Sequence, residues 1–112
     1  MANPRFERAL ELLRSRDPES GERGFDFLRE HADTFVDELT AAFEAEPDQR
    51  LRCLLLELIA EARSAEALPV LARQLDSEDD DLRLWAVRGL EMLDTREANR
   101  LLEEAEAQGR FL

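Results

Sequence analysis

The chain matches itself at a spacing of about 31 residues, and that repeat limits its fold more than any other feature. Shifted by that amount, Leu51-Arg52 falls on Leu82-Arg83, Leu55 on Ala86, Leu58 on Gly89, Ile59 on Leu90 and Ala62 on Leu93. The following segment agrees as well, with Ala67 on Ala98 and Leu71 on Leu102. In the other direction Phe27 and Leu28 fall on Leu58 and Ile59. One added residue then aligns Leu39 and Phe43 with Leu71 and Leu75. Apolar residues recur at three and four with no strict alternation, which is the pattern of helices. Two helices fill each unit. A unit this small cannot bury its apolar face alone, so successive units must stack.

Start and stop signals divide the chain into seven helices. They are expected at Pro4–Ser15 behind the cap Asn3, Pro18–Glu30 behind Asp17, Asp33–Ala45, Pro47 or Asp48 to Ala62, Ala65–Leu75 behind Ser64, Glu78–Leu93, and Arg96–Gln108 before Gly109. Pro4 suits a first helical position. Pro69 falls early in the fifth helix, where it costs a backbone bond and bends the axis. Short connections make neighbours antiparallel. The expected organisation is one domain, 1–112, with pairs at about 3–30, 33–62 and 65–93 and a terminal helix at about 96–108. Segment Leu51–Ala60 is apolar almost all round and is expected to be the most enclosed helix.

Composition narrows the function classes. The net charge is −12, from 27 acids and 15 bases, and every base is arginine. The charge is evenly spread, with no basic arm or patch. Nucleic acid and anionic membranes are therefore not expected partners. A basic protein surface is electrostatically favoured. The single cysteine, Cys53, precludes an internal disulfide and fits a reducing cytoplasm. The N-terminal stretch is charged and amphipathic, without the apolar core of a signal peptide.

The segment ALPVLARQLDSEDDDLRLWAVRGLEML (Ala67–Leu93) resembles a HEAT repeat, of the short kind also found in bilin-lyase-like proteins. Ala67-Leu68-Pro69, the acidic turn, Leu82-Arg83 and the small residues Ala86 and Gly89 before Leu90 carry the resemblance, which extends over about residues 48–105. Ser77 stands where the family often has aspartate, and the usual glycine ending the second helix is missing. The resemblance implies an all-α fold: a short right-handed α-solenoid of about three antiparallel helix pairs plus a C-terminal helix. It also implies that the second helix of each pair lines the concave side.

The motifs that could carry chemistry read as structure. An EF-hand loop beginning at Asp76 needs glycine sixth and glutamate twelfth, where Asp81 and Val87 stand. Ser77 with Asp80 instead resembles a capping box, and acids in the first turn favour the helix dipole. His31 follows Glu30 at a helix end, the reverse of the iron-binding His-Glu pairs of one HEAT-repeat hydroxylase family, and reads as a C-terminal cap. Cys53 has the sole histidine a repeat away and reads as an inert thiol. No catalytic residue, cofactor or metal is expected, and the chain is read as a non-enzyme.

Core positions on the inner helices are expected at Phe27, Leu28, Leu55, Leu58, Ile59, Ala86, Gly89 and Leu90. The opposite stripe should form the concave surface. It places acids at Asp26, Glu30, Glu57 and Glu61 beside Leu84, Trp85, Arg88 and Met92. Tryptophan is a frequent interface anchor. The expected function is non-catalytic binding of a basic protein partner, as a scaffold or adaptor. The alternatives are an immunity-type neutraliser of a toxin, a bilin-lyase-like or other modifying enzyme, and a structural spacer. The competing role for Trp85 is packing against the last helix.

Overall fold

A computed structural model describes residues 3–109. It contains helices α1 (Pro4–Arg14), α2 (Pro18–Glu30), α3 (Val36–Ala45), α4 (Gln49–Glu61), α5 (Leu68–Gln74), α6 (Asp80–Leu93) and α7 (Arg96–Ala107), with a 3-10 turn at Ala65–Ala67. There is no strand among the described residues. Helices α1 and α2 pack together, as do α3 with α4 and α5 with α6. The inner helices α4 and α6 then pack on each other, and α7 lies on α6. The outcome is an elongated stack of 41 × 24 × 22 Å.

Local chemistry explains most of the boundaries. The Asn3 side chain accepts from the amides of Arg5 and Phe6, at 2.9 and 3.3 Å. Asp17, Asp48 and Thr95 accept from Ser20, Leu51 and Ala98. Each satisfies an amide that the first helical turn leaves without a partner. At the end of α6, Asp94 takes the left-handed conformation, φ 47°, that glycine usually supplies. Its carboxylate accepts from the Asn99 side chain at 3.1 Å.

Several boundaries shift by one or two residues, and three differ from expectation for a structural reason. Helix α3 starts at Val36 rather than Asp33, and its cap, Phe35, makes no side-chain hydrogen bond. Residues 31–34 form tight turns instead, with Phe35 N–H donating to Ala32 C=O at 3.1 Å. Those turns drive Phe35 into the core, where its ring meets Phe6 with centroids 5.4 Å apart. Burial of an aromatic wins over a polar cap there, since a buried phenylalanine contributes about 1.5–3 kcal/mol and a cap about 1. The expected fifth helix divides into the 3-10 turn and α5, and Pro69 falls at the start of α5. Its missing N–H is one the helix leaves unpaired anyway, so it costs no internal bond. Helix α6 is capped by Asp79, which accepts from Leu82 N–H at 2.9 Å. Ser77 sits two residues earlier, where its hydroxyl accepts from the Asp79 amide at 3.1 Å.

The core runs from Phe6 to Ala105. Helix α4 contributes Leu51, Leu55, Leu56, Leu58, Ile59 and Ala60 and is the most enclosed helix. Of the expected inner-helix core positions, all are buried except Phe27, which is half-buried. Its ring lies at the outer edge, with His31 4.6 Å away and the Arg5 guanidinium 5.1 Å away. Glycine makes two close approaches possible. A Cβ on Gly89 would lie 2.8 Å from Leu71 and 3.0 Å from Ala60, and one on Gly24 would lie 2.6 Å from the α1 backbone.

Polar bridges repeat with the fold. Arg14 Nη2 donates to Glu46 at 3.0 Å, Arg29 Nη2 to Glu61 at 3.2 Å, Arg73 Nη2 to Glu44 at 3.1 Å and the Gln49 amide to Asp79 at 2.6 Å. Their sequence separations are 32, 32, 29 and 30 residues, close to one repeat. Stacking places equivalent turns of successive pairs side by side, so long side chains bridge them.

Candidate interaction surface

The exposed side of the inner helices α2, α4 and α6 is built around two carboxylates. Glu57 and Glu61 are one turn apart on α4, so both point the same way. Arg29 on α2 reaches Glu61 Oε1, while no donor among the described residues reaches the enclosed Oε2. Partial burial raises the Glu57 carboxyl above its ordinary range. The neighbouring Glu61 raises it further, against the pull of Arg29 and Arg88. Glu57 therefore lies between two carboxylate-favouring arginines and a like charge, in a partly dehydrated setting.

Helix α6 adds the apolar component. Trp85 and Met92, with Glu61, Arg88 and Glu91, line an open depression of about 380 Å³. The Arg88 guanidinium sits 5.3 Å from the Trp85 ring centroid, within cation–π range. Trp85 is half-buried, and the depression it lines faces α4 and includes no α7 residue. Leu84 is 44% exposed and does not line that depression.

The structure thus brings together five of the eight expected contact residues: Glu57, Glu61, Trp85, Arg88 and Met92. Asp26 and Glu30 are exposed on α2, and Leu84 on α6, outside this group. Arg29 and Glu91 complete it. The signal for Arg29 lies in the sequence as an opposite charge 32 residues from Glu61, one repeat away. Arg29 and Arg88 thus set two bases among the acids of this face.

The other candidate groups read as structural. His31 is the residue that ends α2, and its ring packs on Phe27. Cys53, Asp79 and Asp81 place a sulfur and two carboxylate oxygens within 4.8 Å of one another. Both Asp79 oxygens are engaged, one by Leu82 N–H and one by the Gln49 amide. Burial pushes the Cys53 thiol up, and Asp79 and Asp81 push it further. A thiol held protonated is a poor nucleophile and a poor metal ligand.

Stacked helix pairs with one shared core and an exposed inner-helix face define an α-solenoid. The HEAT repeats pattern matches residues 36–109, well over half of the chain, and the protein belongs to the HEAT-repeat family. HEAT repeats generally mediate protein–protein interaction, and the family is typically a non-enzymatic scaffold. No curated protein and no solved structure matches the chain. Among the described residues no helix is long and apolar enough to cross a membrane.

Proposed function

We propose that residues 1–112 form a single non-catalytic binding module that holds a basic segment of another protein against the exposed face of α2, α4 and α6. The observation that carries this reading is the open depression that sets Trp85 and Met92 beside Glu61 and Glu91. An aromatic anchor beside a dehydrated carboxylate suits an arginine or lysine side chain, whose stem covers the indole while its head meets the acid. Glu57 next to it, already destabilised as a carboxylate, would gain from the same cation.

The test compares proteins captured from the native host by the wild type, Trp85→Ala and a Glu57→Arg/Glu61→Arg double variant. A partner of this face is lost with both variants, and its retention falls as salt rises. A captured set unchanged by both variants removes the reading. Because Trp85 is the sole tryptophan, its fluorescence reports directly on occupancy once the partner is purified.

A further inference from the structure

The two ends of the helical stack carry grooves of nearly equal size and opposite charge. At the first end, between α1 and α2, a groove of about 440 Å³ has Ala9, Leu12 and Phe27 as its floor. Arg5, Arg8 and Arg23 rim it, and no carboxylate among the described residues lines it. At the other end, between α6 and α7, a groove of about 460 Å³ has Val87 and Leu102 as its floor. Glu91, Glu103 and Glu106 rim it, and no arginine among the described residues lines it.

Neither rim carries an enclosed ion pair among the described residues, although Arg23 is near enough to Asp17 to act on its charge. Arg8 has Glu11 at 3.9 Å, but both side chains are 74% exposed, where such a pair contributes little. Arg5 lies over Phe27 rather than against an acid. The ion pair of α7 joins Arg100 to Glu104, so no ion pair among the described residues engages Glu91, Glu103 or Glu106. Three arginines around one groove are unexpected in a chain of net charge −12.

In a stack of repeats each pair buries its face against the next, and among the described residues no further helix pair packs on the outer side of α1–α2 or of α6–α7. A helix pair seated on the first end would meet arginines; one seated on the second would meet glutamates. A second copy of this chain satisfies both. We propose that copies associate head to tail, the α6–α7 end of one lying against the α1–α2 end of the next. Glu91, Glu103 and Glu106 then face Arg5, Arg8 and Arg23, and the ridge of α7 enters the groove over Leu12 and Phe27. Such a contact uses different surfaces on the two copies, so it extends into longer assemblies rather than stopping at a two-fold dimer. It shares Glu91 with the depression around Trp85 but leaves Trp85, Met92 and Glu61 uncovered, and it does not depend on the binding role proposed for them.

Sedimentation velocity of the 112-residue protein over a dilution series at low salt tests the proposal. The average mass should climb past that of a dimer as concentration rises and fall when salt is added. Arg5→Glu/Arg8→Glu/Arg23→Glu and Glu91→Arg/Glu103→Arg/Glu106→Arg should each be monomeric with wild-type helicity by circular dichroism. An equimolar mixture of the two should associate again. The proposal is overturned by a wild type that stays monomeric, by a mass that stops at the dimer, by association that survives either reversal, or by a mixture that stays monomeric. Should a triple variant lose helicity, the single changes Arg23→Glu and Glu103→Arg make the same comparison at exposed positions.

Discussion

Replacing Gly24 with alanine should break the contact that holds α1 against α2. A Cβ there would sit 2.6 Å from Ala9 O, 2.6 Å from Leu13 N and 2.9 Å from Leu12 Cβ. Non-bonded carbon contacts prefer about 3.5 Å or more, so the helices must part by roughly 0.5–1 Å. Two of the three contacts are backbone atoms, and no rotamer change relieves them. Nor is α1 free to slide, since Phe6 packs on Phe35 and Arg14 bonds to Glu46. Overpacking of this kind costs about 1–3 kcal/mol, and rigid backbone puts it near the top of that range. The gain in helix propensity from glycine to alanine returns about 1 kcal/mol, leaving a net loss of about 2. For a domain of this size that lowers the melting temperature by roughly 8–16 °C. Gly21 is the internal control, being in the same helix with its nearest neighbours 3.9–4.0 Å from an added Cβ. Gly21→Ala should therefore stabilise by about 0.5–1 kcal/mol. Thermal unfolding of both variants and the wild type, followed by helical circular dichroism, decides the matter. Shifts of the same sign for the two alanines, or an unperturbed Gly24→Ala, would refute the close-approach argument.

Two further outcomes are expected. Asp79→Ala should cost about 1–2 kcal/mol, because it removes both the cap on Leu82 and the acceptor for Gln49, whereas Ser77→Ala should cost less. Urea unfolding of the two variants checks the order, and a larger loss at Ser77 would restore the serine as the cap. Glu57→Gln should stabilise the protein near neutral pH. The folded chain holds the Glu57 proton more tightly than the unfolded chain does, so stability falls as pH rises from the unfolded to the folded pKa, and the ionised carboxylate costs stability above that window. The gain should be small, since the group is partly solvated, and should vanish below about pH 4. Melting temperatures of variant and wild type at both pH values test this; an advantage that grows on acidification contradicts it.

The sequence by itself determined the helices, their pairing and most of the core. Those features rest on interactions within about four residues or on a period that repeats along the chain. Asn3, Asp17 and Ser64 announce their helices because a cap bonds to amides two or three positions on. Leu55, Leu58, Ile59, Ala86 and Leu90 declare their burial by spacing alone. What tertiary structure decided was which side chains meet across pairs. Phe27 has a core period, but it lies at the open end of the stack, where no further helix among the described residues covers it. Gly24 is one small residue among several until α1 is laid against it at 2.6 Å. Phe35 displaces the start of α3 because Phe6, nearly thirty positions earlier, offers it a partner. Glu61 looks like one acid in a stripe, and only the approach of α2 sets Arg29 on one of its oxygens and leaves the other enclosed. Periodicity specifies the face a residue occupies. The distance and angle at which neighbouring helices cross specify what that face touches, and those depend on the whole stack at once.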